Sequence, residues 1–260
     1  MNNCFFKKVN IEGVSHLFVC KGRSRIVNAG KVEDAFLFKR QLYASLYKVD
    51  NHILKVCYGQ SIPKDIFRKY ALRSQAERES KSAFILSELG LVTPKTYFSA
   101  FSLFPKMRKG VESIHEMDFL AGYDDLNPNF VHRPDCLGII RCFGRDLAVI
   151  LNAMLCPKDF GLGNVMYHPG EDKLAWIDSD LKKFKNKETL SRTVMGKLGH
   201  RFLNYLDNCQ ADMFWRSFCE NSILYAEKNE LLSYGKIDYS KNQPGRVSED
   251  KITDNSDHHS

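Results

Sequence analysis

Residues 156–184 read CPKDFGLGNVMYHPGEDKLAWIDSDLKKF, and their reading decides the fold. Asp159 and Asn164 share a loop. Val-Met-Tyr, a turn at HPGEDK and a second apolar run, LAWI, then lead to Asp178. Asp, Asn and Gly are ordinary turn residues, because they bond their own main chain and tolerate left-handed backbone. The same order of acid, amide and acid also suits a site that holds metal ions against a nucleotide triphosphate. The rest of the chain has to choose.

The Asp-x-x-x-x-Asn spacing is weak by itself, since ordinary residue usage produces it about once in a chain of this length. Asp124 with Asn129 and Asp250 with Asn255 repeat it. Neither of those follows a long apolar helix or leads through an apolar strand to another acid. Asp159 with Asn164 does both. CLGIIRCFGRDLAVILNAML precedes it, with apolar residues at 140, 143, 147, 150, 151 and 154 forming one broad stripe.

Bulk properties narrow the class. A chain of 260 residues with 43% hydrophobic content can bury a real core, as one large domain or two lobes. No apolar run is long enough to span a bilayer. The start, MNNCFFKKVNIEG, lacks the apolar region and cleavage site of a signal peptide, so a cytoplasmic protein is expected. The eight cysteines contain no C-x-x-C and read as free thiols in apolar patterns, with neither zinc nor disulfides expected. The net charge of +7 comes from dispersed residues, no nucleic-acid fold signature accompanies it, and no nucleic-acid partner is expected. The histidines share no ligand spacing and read mostly as surface or cap residues.

Along the chain, HLFVCKG, DAFLFKRQ, LYASLYKVD and HILKVCYG alternate as strands, and KVDNH is a hairpin turn. A helical pattern covers 66–90 and ends at Gly90, with Pro94 beyond it. KTYFSAFSLFPK and ESIHEMDFL are strand-like, and helices occupy about 187–230. The residues after Leu232 have little to bury and read as disordered. The expectation is an α+β, two-lobed chain: a strand-rich lobe with one main helix over 1–114, a helical lobe over 115–230 and a tail over 231–260.

One carboxylate lies on the wrong face. Leu72, Ala76, Ala83 and Leu86 make the apolar stripe of the helix, and Glu79 completes their spacing. Glu77 and Glu88, off the stripe, read as solvated. A carboxylate on a buried face needs a partner, because an unpaired buried charge costs several kcal/mol. Strand alternation puts Lys55 on one face with Ile53 and Cys57, which makes it the candidate. The bland reading has Lys55 reaching solvent from an edge strand and Glu79 at the border of the stripe.

The order is then Lys on a strand, Glu on the next helix, Asp-x-x-x-x-Asn in a loop and Asp at a strand end. That is the order of parts in a protein-kinase-like phosphotransferase. RESKSAFILSELGLVTP, KDFGLGNVM and WIDSD resemble the helix-and-turn signature and the catalytic and metal loops of the bacterial lipopolysaccharide core kinases, the Kdo and heptose kinases and their InaA-like relatives. The resemblance covers roughly 40–180. It implies a kinase-like fold that moves the γ-phosphate of ATP, with Mg2+, to a sugar hydroxyl of the lipopolysaccharide inner core. The implied place is the cytoplasmic face of the inner membrane, with peripheral contact.

By position Lys55 matches the nucleotide lysine and Glu79 its helix partner. Asp159 matches the catalytic aspartate, and Asn164 and Asp178 match the metal ligands, with Asp180 as second choice to Asp178. Glu116, Met117 and Asp118 read as the link between lobes, offering backbone groups to adenine. Three features depart from the pattern. Pro157 stands where kinases usually have His; no G-x-G-x-x-G precedes Lys55, with only Gly22 and Gly30 nearby; and the DFG of KDFGLGN lies in the catalytic loop, not at the metal aspartate. A protein serine/threonine kinase, a small-molecule kinase and a nucleotide-binding pseudokinase module are the alternatives.

Overall fold

The computed structural model describes residues 4–24, 35–59, 74–103, 110–126 and 128–234. The readings that fall on 66–73 (Leu72 among them), on Gly30 and on the tail after 234 lie outside these residues.

Period-2 patterns in the first half build one sheet. Its strands are β1 (Cys4–Ile11), β2 (Val14–Gly22), β3 (Phe36–Arg40), β4 (Ala44–Val49), β5 (His52–Tyr58), β6 (Thr96–Ser102) and β7 (Val111–Asp118). They lie in the order β1-β2-β6-β7-β5-β4-β3, and every ladder is antiparallel. The six strand runs read from the sequence are β2 to β7. β1 was not anticipated. The sheet curls far enough for Glu12 in the β1–β2 turn to accept hydrogen bonds from Arg40 (2.7 Å) and Tyr47 (2.7 Å) near the opposite edge. Its concave side encloses Phe18, Cys20, Leu54, Val56, Phe98 and Ile114.

Helix α1 (Gln75–Glu88) packs on β6 and β7. Three of the N–H groups that open it are satisfied from outside the helix. Ser74 Oγ accepts from Glu77 N at 3.2 Å, the Glu112 carboxylate from Gln75 N at 3.3 Å, and Ser113 Oγ from Ala76 N at 3.3 Å. Two of these acceptors belong to β7, so the cap also docks the helix. At the other end Gly90 takes φ +79, with Leu91 N donating to Leu86 O and Gly90 N to Ser87 O, the glycine stop read from the sequence.

The second half is helical: α2 (Cys136–Asn152), α3 (Lys187–Arg201), α4 (Asn208–Asn221) and α5 (Lys228–Leu232). α2 and α4 pack together around stacked rings, Phe143 and Phe202 lying 4.4 Å apart by centroid. Small strands fix the quoted stretch. β9 (Leu155–Pro157) pairs with β12 (Leu181–Lys183), and β10 (Val165–His168) joins β11 (Lys173–Trp176) and β8 (Asp124–Asp125). Among the described residues no helix is long and apolar enough to cross a membrane.

Candidate active site

β5 lies inside the sheet and is buried on both sides, so Lys55 has no route to water and is 2% exposed. Its Nζ lies 3.0 Å from Glu79 Oε2 and also contacts Asp178 Oδ1. One ammonium therefore bridges α1 and the end of the quoted stretch. Burial alone would raise the Glu79 pKa, but Lys55, His115 and a hydrogen bond from Gln75 (2.8 Å) together hold it below its ordinary value. His115, opposite Lys55 on β7, completes the group with Nε2 3.5 Å from Glu79. Burial outweighs that carboxylate and pushes its pKa down to about 4, so the imidazole is neutral. The reading of the histidines as surface residues is corrected here: His115 and His16 are both buried. Glu77 is corrected too, being buried and paired with Lys21 at 2.7 Å.

The loop carrying Asp159 and Asn164 is tied to itself and to the strand beyond it. Gly161 N donates to Asp159 Oδ1 at 3.3 Å, Asn164 Nδ2 to Asp159 O at 3.3 Å, and Asn164 N to Gly161 O at 2.9 Å. Ile177 N donates to Asn164 O at 2.8 Å, which sets Asn164 beside the residue preceding Asp178. Asp178 takes φ +51, a left-handed turn that Asp tolerates better than most residues. Behind it, Trp176 Nε1 donates to the buried Asp146 of α2 at 3.1 Å. Asp180 is differently occupied. Its carboxylate meets Arg78 Nη1 at 2.9 Å and Lys158 Nζ at 2.9 Å.

Two departures from the expected pattern can be placed in the structure. The turn between β3 and β4, residues 41–43, is Gln-Leu-Tyr, closed by Gln41 N to Ala44 O at 2.8 Å, and contains no glycine. Gly22 serves packing: at φ +87, an added Cβ would stand 2.3 Å from Tyr97 O. Where Pro157 replaces the expected His, Lys197 of α3 donates to Pro157 O (3.2 Å) and Lys158 O (2.7 Å), the two carbonyls before Asp159. Sequence reasoning missed Lys197 and Arg201, whose guanidinium contacts Asp159 Oδ1. Their signal was a Lys and an Arg four apart on one helix face, which is common on surfaces. Glu116, Met117 and Asp118 are the last residues of β7, and the N–H groups of Asp118 and Phe119 already donate to Lys95 O and Asn51 O.

Gln75, Arg78, Glu79, Asp159, Asn164, Asp178 and Asp180 line one open cleft of about 180 Å³. All five residues singled out in the sequence therefore meet there or, for Lys55, at its wall. Among the described residues no group of three or more His, Cys, Asp or Glu side chains converges as a metal cage. Asn164 and Asp178 offer hard oxygen ligands on one wall. That donor set fits Mg2+, which is bound through one or two carboxylates while phosphate oxygens and water complete its shell.

No protein-family model matches the sequence, and no curated protein matches it. Several solved structures are similar. One is WaaP in complex with acyl carrier protein, at 14% identity and TM-score 0.49, over 76% of this chain and 84% of that one. Another is a choline/ethanolamine kinase family protein from Mesorhizobium loti, at 11% identity and TM-score 0.44, over 75% and 72%. A third is the choline kinase LicA from Streptococcus pneumoniae, at 13% identity and TM-score 0.45, over 76% and 78%. The fold is α+β and two-lobed: a strand-rich lobe with a main helix docked on its sheet, and a helical lobe that carries the loops.

Proposed function

We propose that the protein is an ATP- and Mg2+-dependent phosphotransferase whose acceptor is a sugar hydroxyl of the lipopolysaccharide inner core. The observation that carries the transfer reading is the buried Lys55 ammonium between Glu79 and Asp178, at the wall of the cleft that Asp159 and Asn164 line. A desolvated lysine held by a glutamate is a fixed positive charge for the α- and β-phosphates. Glu79 keeps it aimed, and the capped start of α1 keeps Glu79 in place. Asp159, on a loop braced by Lys197, accepts or orients the proton of the attacking hydroxyl. Asn164 and Asp178 would hold Mg2+, which would supply positive charge to offset that on the phosphoryl group.

The sugar acceptor rests on the resemblance of RESKSAFILSELGLVTP to the helix-and-turn signature of the lipopolysaccharide core kinases. The segment's Arg78 reaches Asp180 of IDSD, and its Gly90 makes the helix stop. The segment is part of the helix that carries Glu79, and Arg78 ties that helix to the loop of Asp178 and Asp180.

The test is transfer of labelled γ-phosphate from Mg-ATP to unphosphorylated lipopolysaccharide core, with a protein mixture in a parallel tube. Label is expected in the core. Asp159→Ala should lower the rate by about 10² to 10³, the usual loss when a preorganised charged group is removed, while its thermal melt stays unchanged. Label in protein alone would move the acceptor to a protein hydroxyl, and undiminished transfer by the variant would remove Asp159 from the mechanism.

A further inference from the structure

We infer that Arg201 forms a subsite for an anionic group, carboxylate or phosphate, carried by the acceptor beside its reacting hydroxyl. The inference deepens the phosphotransferase reading and rests on it for the identity of the acceptor.

Arg201 is the last residue of α3, one turn beyond Lys197, and its guanidinium contacts Asp159 Oδ1. Both side chains are open to solvent, at 54% and 58% exposure. An ion pair between two exposed groups is readily opened. Among the described residues, the other cations at the cleft are committed. Lys55 serves Glu79 and Asp178, Arg78 and Lys158 serve Asp180, and Lys197 serves two main-chain carbonyls. Arg201 is the one an incoming group can recruit.

Its present partner is also the group that has to meet the acceptor hydroxyl. The guanidinium takes Asp159 Oδ1 through one nitrogen, which leaves Oδ2 for an acceptor hydroxyl. An acceptor with an anion beside that hydroxyl uses both groups, the hydroxyl meeting Asp159 and the anion the other donors of Arg201, whereas a neutral sugar uses Asp159 alone. A guanidinium suits this because its donors match carboxylate and phosphate two at a time. The site therefore favours acidic or phosphorylated saccharides over neutral ones.

The full-length protein labelled with ¹⁵N-arginine, with Mg-ADP present, gives a direct reading. The Arg201 Nε–H signal, assigned by its loss in Arg201→Lys, is followed on addition of glucuronate, glucose 6-phosphate or glucose. Saturable shifts with both acids and none with glucose are expected; no shift with either acid overturns the subsite. In transfer assays on the same sugars, the preference in kcat/KM for glucose 6-phosphate over glucose should fall at least tenfold in Arg201→Ala, carried by KM. An unchanged preference, with both acceptors slowed alike, overturns the proposal and assigns Arg201 to the phosphoryl group or the loop. Anion binding at Arg201 without transfer to any of the sugars or to core saccharide leaves the subsite standing and sinks the phosphotransferase reading.

Discussion

Lys55, Glu79 and His115 show how charge is kept inside a lobe that has little polar surface to spare. Lys55 and Glu79 were legible because each breaks an apolar period, one on a strand and one on a helix, and a breach needs a partner. His115 was not legible, since a histidine on a strand carries no such contradiction; only the packing of α1 over β7 shows that it is sealed. Its consequence is a pH dependence of stability. The folded value is about 4 against an ordinary 6.5, so below pH 6.5 the unfolded chain takes a proton that the folded one refuses. Stability should fall by up to about 3 kcal/mol as pH drops from 6.5 to about 4, since each pKa unit is worth about 1.4 kcal/mol. Glu79, held below its ordinary 4.5, adds a second loss that begins lower, as pH falls toward its folded value. Urea unfolding across this range should show both. His115→Leu should flatten the upper part and leave the lower; an unaltered upper slope would mean that the imidazole is already charged in the fold.

Elements differ in how much of themselves they show in sequence. The loop of Asp159 and Asn164 and the hairpin of β10 and β11 were readable, because an apolar helix, a turn and an apolar run bracket them. β9 and β12 were not, since three residues hold no period and LKK looks like a solvated basic run. β1 was obscured because its apolar signal lies only at Val9 and Ile11, after Phe5, Phe6 and two lysines that face solvent or lie part-buried. Pro157 looked like a missing support until α3 supplied Lys197 from forty residues away. Lys197→Met should take this donor from the part-buried Pro157 carbonyl, a loss of about 1 kcal/mol, while the exposed Lys158 carbonyl turns to water. Hydrogen exchange over 158–164 should quicken, and kcat should fall with the KM for ATP little changed. Lys197→Arg should restore much of both. Equal exchange in wild type and the methionine variant would show that the β9–β12 pairing alone holds the loop.

Across the whole molecule, α1 is the part that both lobes share. Its N-terminal N–H groups are held by Glu112 and Ser113 of the sheet, and Glu79 reaches Lys55. Arg78, Ser82 and Leu86, four residues apart, reach the helical lobe. Arg78 meets Asp180, Ser82 Oγ accepts from Leu181 N at 3.0 Å, and Leu86 is wholly buried in the core that holds Phe143, Phe202 and Trp176. The concave core of the sheet is separate from that one. Because α1 enters the helical core through Leu86 and is tied to the sheet by polar contacts, a defect in the helical core should reach the sheet through it. Leu86→Ala should cost about 2–5 kcal/mol, the range for a buried leucine whose cavity closes only in part. If α1 couples the lobes, amides of β7 and β11 should lose exchange protection together, unfolding should remain a single transition, and the Lys55–Glu79 pair should loosen as the helix shifts. Protection retained in β7 while β11 opens would instead make the sheet and its capped helix an independent unit. The cleft would then be assembled by docking of two stable halves rather than by one cooperative fold.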